Sequence, residues 1–308
     1  LAGEGADWPT GVIAAELAPV AAEREPLERA ADSLLAAQHD DGGWGYHSGV
    51  PTDADSTACA LLFLAALGRR DSCVKRATAC LARHQDGDSG GLATYREPGP
   101  IRGFMGLGEE TDLGGWCASH LEVTATAGRA FAAVAGVAPS GAAEAAWRYV
   151  SSRQRADGSW ASYWWTTPHY PTLQAVALAD EVRDGAAVRR AADWALREQG
   201  QDGGWPAPDI PTSAFATALS LAVLLRAGVS GPRVERAIER LGELQDADGG
   251  WPSHPIMRIP PPALAEPDDH RSWRSDGLGT GVVVRDQHRT FTTAVCVGAL
   301  GLTRSRSA

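Results

Sequence analysis

One short phrase recurs through the chain and limits what it can fold into. "QHDDGGW" ends at Trp44, "QRADGSW" at Trp160, "QGQDGGW" at Trp205 and "QDADGGW" at Trp251, while a degenerate copy, "QDGDSGGL", has Leu92 in the Trp position. The spacing is about 46 residues except between Leu92 and Trp160, where it is about twenty residues longer. A fixed period of this length marks an array of like units, each burying its apolar face only against a neighbour.

Each copy follows an amphipathic pattern, such as "LERAADSLLAAQ" or "VERAIERLGELQ", with apolar residues at helical spacing. Each is followed, after a loop, by a segment that is apolar nearly all round, such as "STACALLFLAAL" or "PTSAFATALSLAVLL". A helix without a wet face must be buried on all sides. Half-wet helices alternating with dry ones imply two concentric layers. The expected fold is all-α, an (α/α)-toroid of five to six helix pairs with the dry helices around a central cavity. Residues 1–308 read as one toroid, residues 1–24, through "TGVIAAELAPVAA", as a further inner helix, and residues 252–286 as an irregular insertion or lid. In the repeat itself, Asp and Gly stop the outer helix and turn the chain, and Trp stacks back on it. The repeats are therefore structural clamps and are assigned no chemistry.

Composition narrows the function. A net charge of −10 lacks the basic stripe that nucleic-acid binding requires. Five cysteines without framework spacing point to packing rather than disulfides and to a reducing cytoplasm. The apolar runs are too short to span a bilayer and the N-terminus has no signal-peptide pattern, which leaves room for peripheral membrane contact.

The stretch "DADST", Asp53 to Thr57, opens the first long dry segment. Its two carboxylates suit a helix cap, a metal site or an acid facing the cavity. Glu109, Glu110 and Asp112 form either a solvated acidic loop or a magnesium site beside a diphosphate. Arg258, Arg271, Arg274 and Arg285, with His254, His270 and His288, form either a solvated proline-rich loop or an anion-binding group.

The repeats resemble the QW motifs of the squalene-hopene cyclase and class II terpene cyclase superfamily. "PTDADSTACALL" is similar to that family's Asp-x-Asp-Asp-Thr-Ala motif, and the likeness continues through "GEETD", "EVTA", "DGSWASYW" and "ADWALREQGQDGGW". The resemblance implies a protonation-initiated cyclase acting on a linear isoprenoid, either a farnesyl-sized prenyl diphosphate or a prenylated small molecule. It puts the proton donor at Asp55 and its supporting carboxylate at Asp53. Ser56 replaces the motif's final Asp.

Residue-by-residue likeness assigns Tyr95, Trp164 and Tyr170 to the pocket, and position adds Phe104, Trp116 and Phe291. Arg258 and Arg285 are the candidates for a head group. Protonation calls for no cofactor, and Mg2+ enters only with a diphosphate. Thr126 stands where a related subgroup has a histidine that bonds the acid, and His169 reads as a loop residue. The family's cyclases usually carry a second toroidal domain, so the expected site is smaller and more open, or is closed by a partner protein or second copy. Two alternatives use the same toroid. One is a zinc prenyltransferase-like enzyme with Asp53, Cys59 and His288 as nearest ligands, although the Asp-x-Cys spacing is absent. The other is a non-catalytic toroid that binds an isoprenoid or peptide.

Overall fold

The computed structural model describes residues 6–270, 272–275 and 279–304. Six helices form the inner ring: α1 (Asp7–Leu17), α3 (Ala54–Ala66), α6 (Leu121–Ala133), α8 (His169–Glu181), α10 (Ala214–Arg226) and α12 (Thr290–Arg304). Each packs on the next, and α12 packs on α1, which closes the ring. Outside it lie α2 (Glu25–Ala36), α4 (Ser72–Ala82), α7 (Ala142–Ser151), α9 (Gly185–Glu198) and α11 (Pro232–Leu244). The all-α toroid expected from the repeat is the observed architecture. Helix α10 is buried from Ala214 to Leu225, whereas α11 buries only Val234, Ala237 and Leu241, one stripe of its surface. Helices α1 and α3 approach closely because Gly11 has no side chain, and a Cβ there would lie 3.1 Å from the Ala60 amide nitrogen.

The clamps explain how the rings hold together. In every complete copy the Trp indole donates to the carbonyl ten residues upstream in the outer helix: Trp44 to Leu34, Trp160 to Val150, Trp205 to Ala195 and Trp251 to Leu241, at 2.7–2.8 Å. Its amide donates to a threonine hydroxyl in the first turns of the following inner helix, at Thr57, Thr172, Thr217 or Thr293. Leu92 keeps that amide bond, to Thr124. In Gln38, Gln85, Gln154 and Gln199 the side chain donates twice, as Gln199 does to Gly203 O at 2.8 Å and to Arg233 O, in the next outer helix, at 2.9 Å. At Gly158, where φ is +97°, a Cβ would meet Arg190 O at 2.2 Å, so the turn both needs glycine's backbone freedom and lies directly on the next outer helix.

Two features depart from the repeat. The long interval contains α5 (Pro98–Met105), and the chain between α11 and α12 contains β3 (Pro255–Ile259) paired antiparallel with β4 (Val282–Arg285). Within residues 252–286, β3 and β4 thus form a hairpin. A second short hairpin, β1 (Trp205–Ala207) with β2 (Ile210–Ser213), leads into α10.

Candidate active site

The N-termini of α1 and α3, with α5, the β3–β4 hairpin and the loops that lead into α6 and α8, border a cavity of about 920 Å³ of empty space, its open mouth included. Trp8, Tyr46, Tyr95, Phe104, Trp116, Trp164 and Trp165 line it, with both methionines of the chain, Met105 and Met257. Its few polar groups are Asp53, Asp55, Ser56, Thr94 and Arg258. An apolar chamber with a few convergent polar groups is the usual form of a small-molecule site.

Asp53 caps α3. Its Oδ1 accepts the Ser56 amide and its Oδ2 the Ser56 hydroxyl, both at 2.7 Å. Capping therefore falls to Asp53, and both of its oxygens are engaged by one serine. Asp55, in the first turn, has a different environment. Trp8, from α1, donates its indole N–H to Oδ2 at 2.7 Å, and Oδ1 has no protein partner. Asp55 is half-buried, and what remains open faces the cavity.

Burial raises Asp55 to about 7, the Asp53 charge adds to the rise, the Trp8 bond opposes it, and Glu122 adds a smaller push upward. Burial raises Asp53 to about 6 against the two Ser56 bonds that favour its charged form. Both carboxyl groups are thus raised by burial, and the Asp53 charge favours the proton on Asp55.

The aromatic wall is joined to the acid's helix by polar bonds. Trp164 donates its indole N–H to Thr94 Oγ1 at 3.0 Å, and Thr94 O accepts the Ala54 amide of α3. Thr94 Oγ1 also meets His120 Nδ1 at 2.7 Å, while His120 Nε2 lies 2.8 Å from Gly115 O; burial holds this histidine down at about 3, so it is neutral. Trp116 donates its indole to Pro260 O, and Tyr163 its hydroxyl to Leu264 O. The segment after β3 is thereby tied over the wall.

Of the residues expected at the site, Asp53, Asp55, Ser56, Tyr95, Phe104, Trp116, Trp164 and Arg258 line this cavity. Tyr170 does not. The first turn of α8 turns its ring under Trp165, stacked at 3.8 Å, and it lines instead a second cavity toward the other end of the ring. Phe291 packs behind Trp8 at 5.1 Å and supports the wall from outside. Arg285 is on an outward position of β4 and exposed. Arg258 reaches the cavity with its guanidinium engaged by Tyr163 O, Ser162 O and Asp268, so it braces the wall.

Arg274 and His288 are exposed, His254 is buried near Ser213, and Arg271 lies outside the described residues. His169 is no loop residue: it starts α8, buried, with Nδ1 2.9 Å from Ser220 Oγ. Glu109, Glu110 and Asp112 are exposed, with Glu109 3.8 Å from Arg102 and Asp112 capping Gly114. Among the described residues no three His, Cys, Asp or Glu side chains converge as a metal site would require, so neither this loop nor Asp53 with Cys59 and His288 fits a metal as it stands. Sequence reasoning missed Trp8, Tyr46, Trp165 and Glu122. The only signal for Trp8 was a lone aromatic residue before a dry helix.

Comparison with known proteins identifies relatives that share this fold. The squalene-hopene cyclase C-terminal domain matches residues 117–255. Drimenyl diphosphate synthase from Streptomyces showdoensis is 32% identical over 249 residues, 76% of this chain but 43% of its own length. The chain thus matches less than half of that curated relative. Type II terpene cyclase MstE from Scytonema superposes with a TM-score of 0.88 at 28% identity, over 98% of this chain and 89% of that one. A protein from Actinoplanes does so with a TM-score of 0.87 at 30% identity, over 97% and 90%.

The toroid and its acid-bearing cavity define a terpene cyclase fold. The chain belongs to the squalene-hopene cyclase and class II terpene cyclase superfamily.

Proposed function

We propose that the protein is a protonation-initiated terpene cyclase that converts a linear isoprenoid into a cyclic isomer. The observation that carries this reading is Asp55: one oxygen held by Trp8, the other without a protein partner, and its carboxyl pushed up to about 7 inside an aromatic chamber. Neutral Asp55 transfers its proton from Oδ1 to a terminal carbon of an alkene in the substrate. The Trp8 N–H then stabilises the carboxylate left behind. The new cation is attacked by the next double bond, and loss of a C–H proton restores an alkene, so the sum of the steps is an isomerisation. Aromatic faces attract the cation without offering a nucleophile, and a dry chamber keeps water from ending the reaction early.

Ser56 supports the acid in this scheme. By donating to both oxygens of Asp53 it keeps that neighbour ionised, and the neighbouring charge keeps Asp55 protonated. The β3–β4 hairpin, with residues 260–264 that Trp116 and Tyr163 bond, forms the lid of the toroid. Phe104 and Val283, the exposed large hydrophobic residues among those described, lie near the mouth and suit peripheral contact with a membrane that holds the substrate. Among the described residues no helix is long and apolar enough to cross one. The five cysteines are free, as a reducing cytoplasm would keep them.

The substrate is a farnesyl-sized prenyl diphosphate or a prenylated small molecule. Relatives include a drimenyl diphosphate synthase and a cyclase solved with geranylgeranyl dihydroxybenzoate as substrate. Protonation uses the chain's own carboxyl. Mg2+ would enter as company for a diphosphate.

The test is to incubate the purified protein with farnesyl and geranylgeranyl diphosphates and with prenylated phenols, and to look for cyclised products. Asp55→Asn should remain folded and lose about a thousandfold in rate, in the range for removing a general acid. No cyclic product from any of these chains with the wild-type protein would overturn the reading.

A further inference from the structure

Glu122, in the first turn of α6, has no part in the scheme above, yet it is 1% exposed. Its Oε1 accepts the amides of Tyr163 and Trp164, both at 2.7 Å, and the Ser162 hydroxyl at 3.2 Å. Its Oε2 has no protein partner. If these bonds served only to hold the turn, a neutral acceptor such as an amide carbonyl would do the same work without the desolvation cost of a charge. What distinguishes a carboxylate here is its charge, and Asp55 is within range to feel it.

The groups around Asp55 leave few other sources of charge. Asp53 stands at the head of α3, and Cys59 follows one turn on. Tyr170 faces from α8, and both it and Cys59 are neutral because burial pushes them far above their ordinary values. Trp8 faces from α1; Glu16 of α1 and Arg129 of α6 lie further along the ring axis, in the second cavity. Arg258 of β3 is paired with Asp268. Burial pushes Glu122 up from its ordinary value, while the Trp164 and Tyr163 amides and the Ser162 hydroxyl oppose that rise and favour its charged form; with Asp53 it supplies the negative charge that acts on the acid.

We propose that Glu122 is a positioning residue for the acid: its charge, fixed by the Ser162–Trp164 turn, opposes a second charge on Asp55, and the same bonds set Trp164 in the cavity wall. One side chain thus links the acid to the surface that receives the cation. The proposal rests on Asp55 being the proton donor, and its test separates the two claims.

In Glu122→Gln the amide oxygen can keep the three donors while the charge is lost. Near-ultraviolet circular dichroism should match the wild type. The alkaline limb of the pH–rate profile with a prenyl substrate should move down by about half to one pH unit, the size expected from one nearby charge. Glu122→Ala, which also releases the turn, should lose rate at every pH. A substrate-free readout runs beside these: the infrared carbonyl band of protonated Asp55, identified by its absence in Asp55→Asn, should titrate at lower pH in Glu122→Gln.

If Glu122→Gln does not fold, Ser162→Ala removes one donor, favours protonation of Glu122, and should move the same band in the same direction by less. A band that titrates in the variant as in the wild type overturns the proposal. A shifted band in a protein that makes no cyclic product upholds it and overturns the cyclase reading instead.

Discussion

The repeat turns and the cavity use the same residue types in opposite surroundings. In the turns, Asp202 and Asp248 accept backbone amides at the surface, and these and other bonds, from Thr212 and Arg289 above all, hold both below the ordinary carboxylate range. In the cavity, burial drives Asp53 and Asp55 up, to about 6 and about 7. The tryptophans divide in the same way. Trp44, Trp160, Trp205 and Trp251 each donate to a carbonyl ten residues upstream. Trp8 reaches Asp55, Trp164 reaches Thr94, and Trp116 reaches Pro260, across 47, 70 and 144 residues. A tryptophan near its partner in sequence maintains the ring, and one whose partner is distant builds the chamber.

Exchanging the properties of the two regions tests that division. The largest stability effect is expected in the turns. Trp205→Ala should cost about 3–5 kcal/mol in denaturant unfolding, as deletion of a buried aromatic does, and should lower activity only in proportion to the folded fraction. A rate loss at full folding would mean that the clamps also shape the cavity.

In the cavity the order is reversed. Trp8→Phe keeps the ring and loses the N–H on Asp55 Oδ2, so it should leave unfolding nearly unchanged and lower the rate by about tenfold, the worth of a hydrogen bond to a charged group. Activity requires Asp55 protonated, so the wild-type rate should fall as pH rises through about 7. The Trp8 bond favours the charged form, so its loss should move that limb to higher pH, opposite to Glu122→Gln. A limb that moves down would show that Trp8 does not bond the carboxylate.

The smallest effect separates one turn from another. Gln199 bonds both its own turn and the next outer helix, while among the described residues Gln245 donates to Gly249 alone and no outer helix follows α11. Gln199→Ala should cost about 2 kcal/mol and Gln245→Ala about 1 or less, measured by the same unfolding.

The same division explains what was legible in the sequence. The clamps, the wet and dry helices and the acid pair rest on local patterns: Asp–Gly turns, helical spacing, and a cap three residues before Ser56. Tyr95, Trp116 and Trp164 were reached through family likeness and position, and they do line the chamber. Trp8 and Glu122 were missed because their importance lies in contacts with residues about forty or more positions away. Trp165 and Tyr170 show how fine the limit is. Both are aromatic and near the start of α8, and only the packing decides that Trp165 faces the cavity with Tyr170 stacked beneath it. Arg258 was legible as a cation near the site, but not as one already paired with Asp268.

The central claim is that Asp55 delivers a solvent-derived proton to carbon. Turnover of a farnesyl or geranylgeranyl substrate in D2O, followed by mass spectrometry and NMR of the product, tests it most directly. The account predicts a cyclic product with one deuterium, on the carbon that accepted the proton, and no such product from Asp55→Asn. A cyclic product without deuterium, or equal labelling by Asp55→Asn, would contradict it.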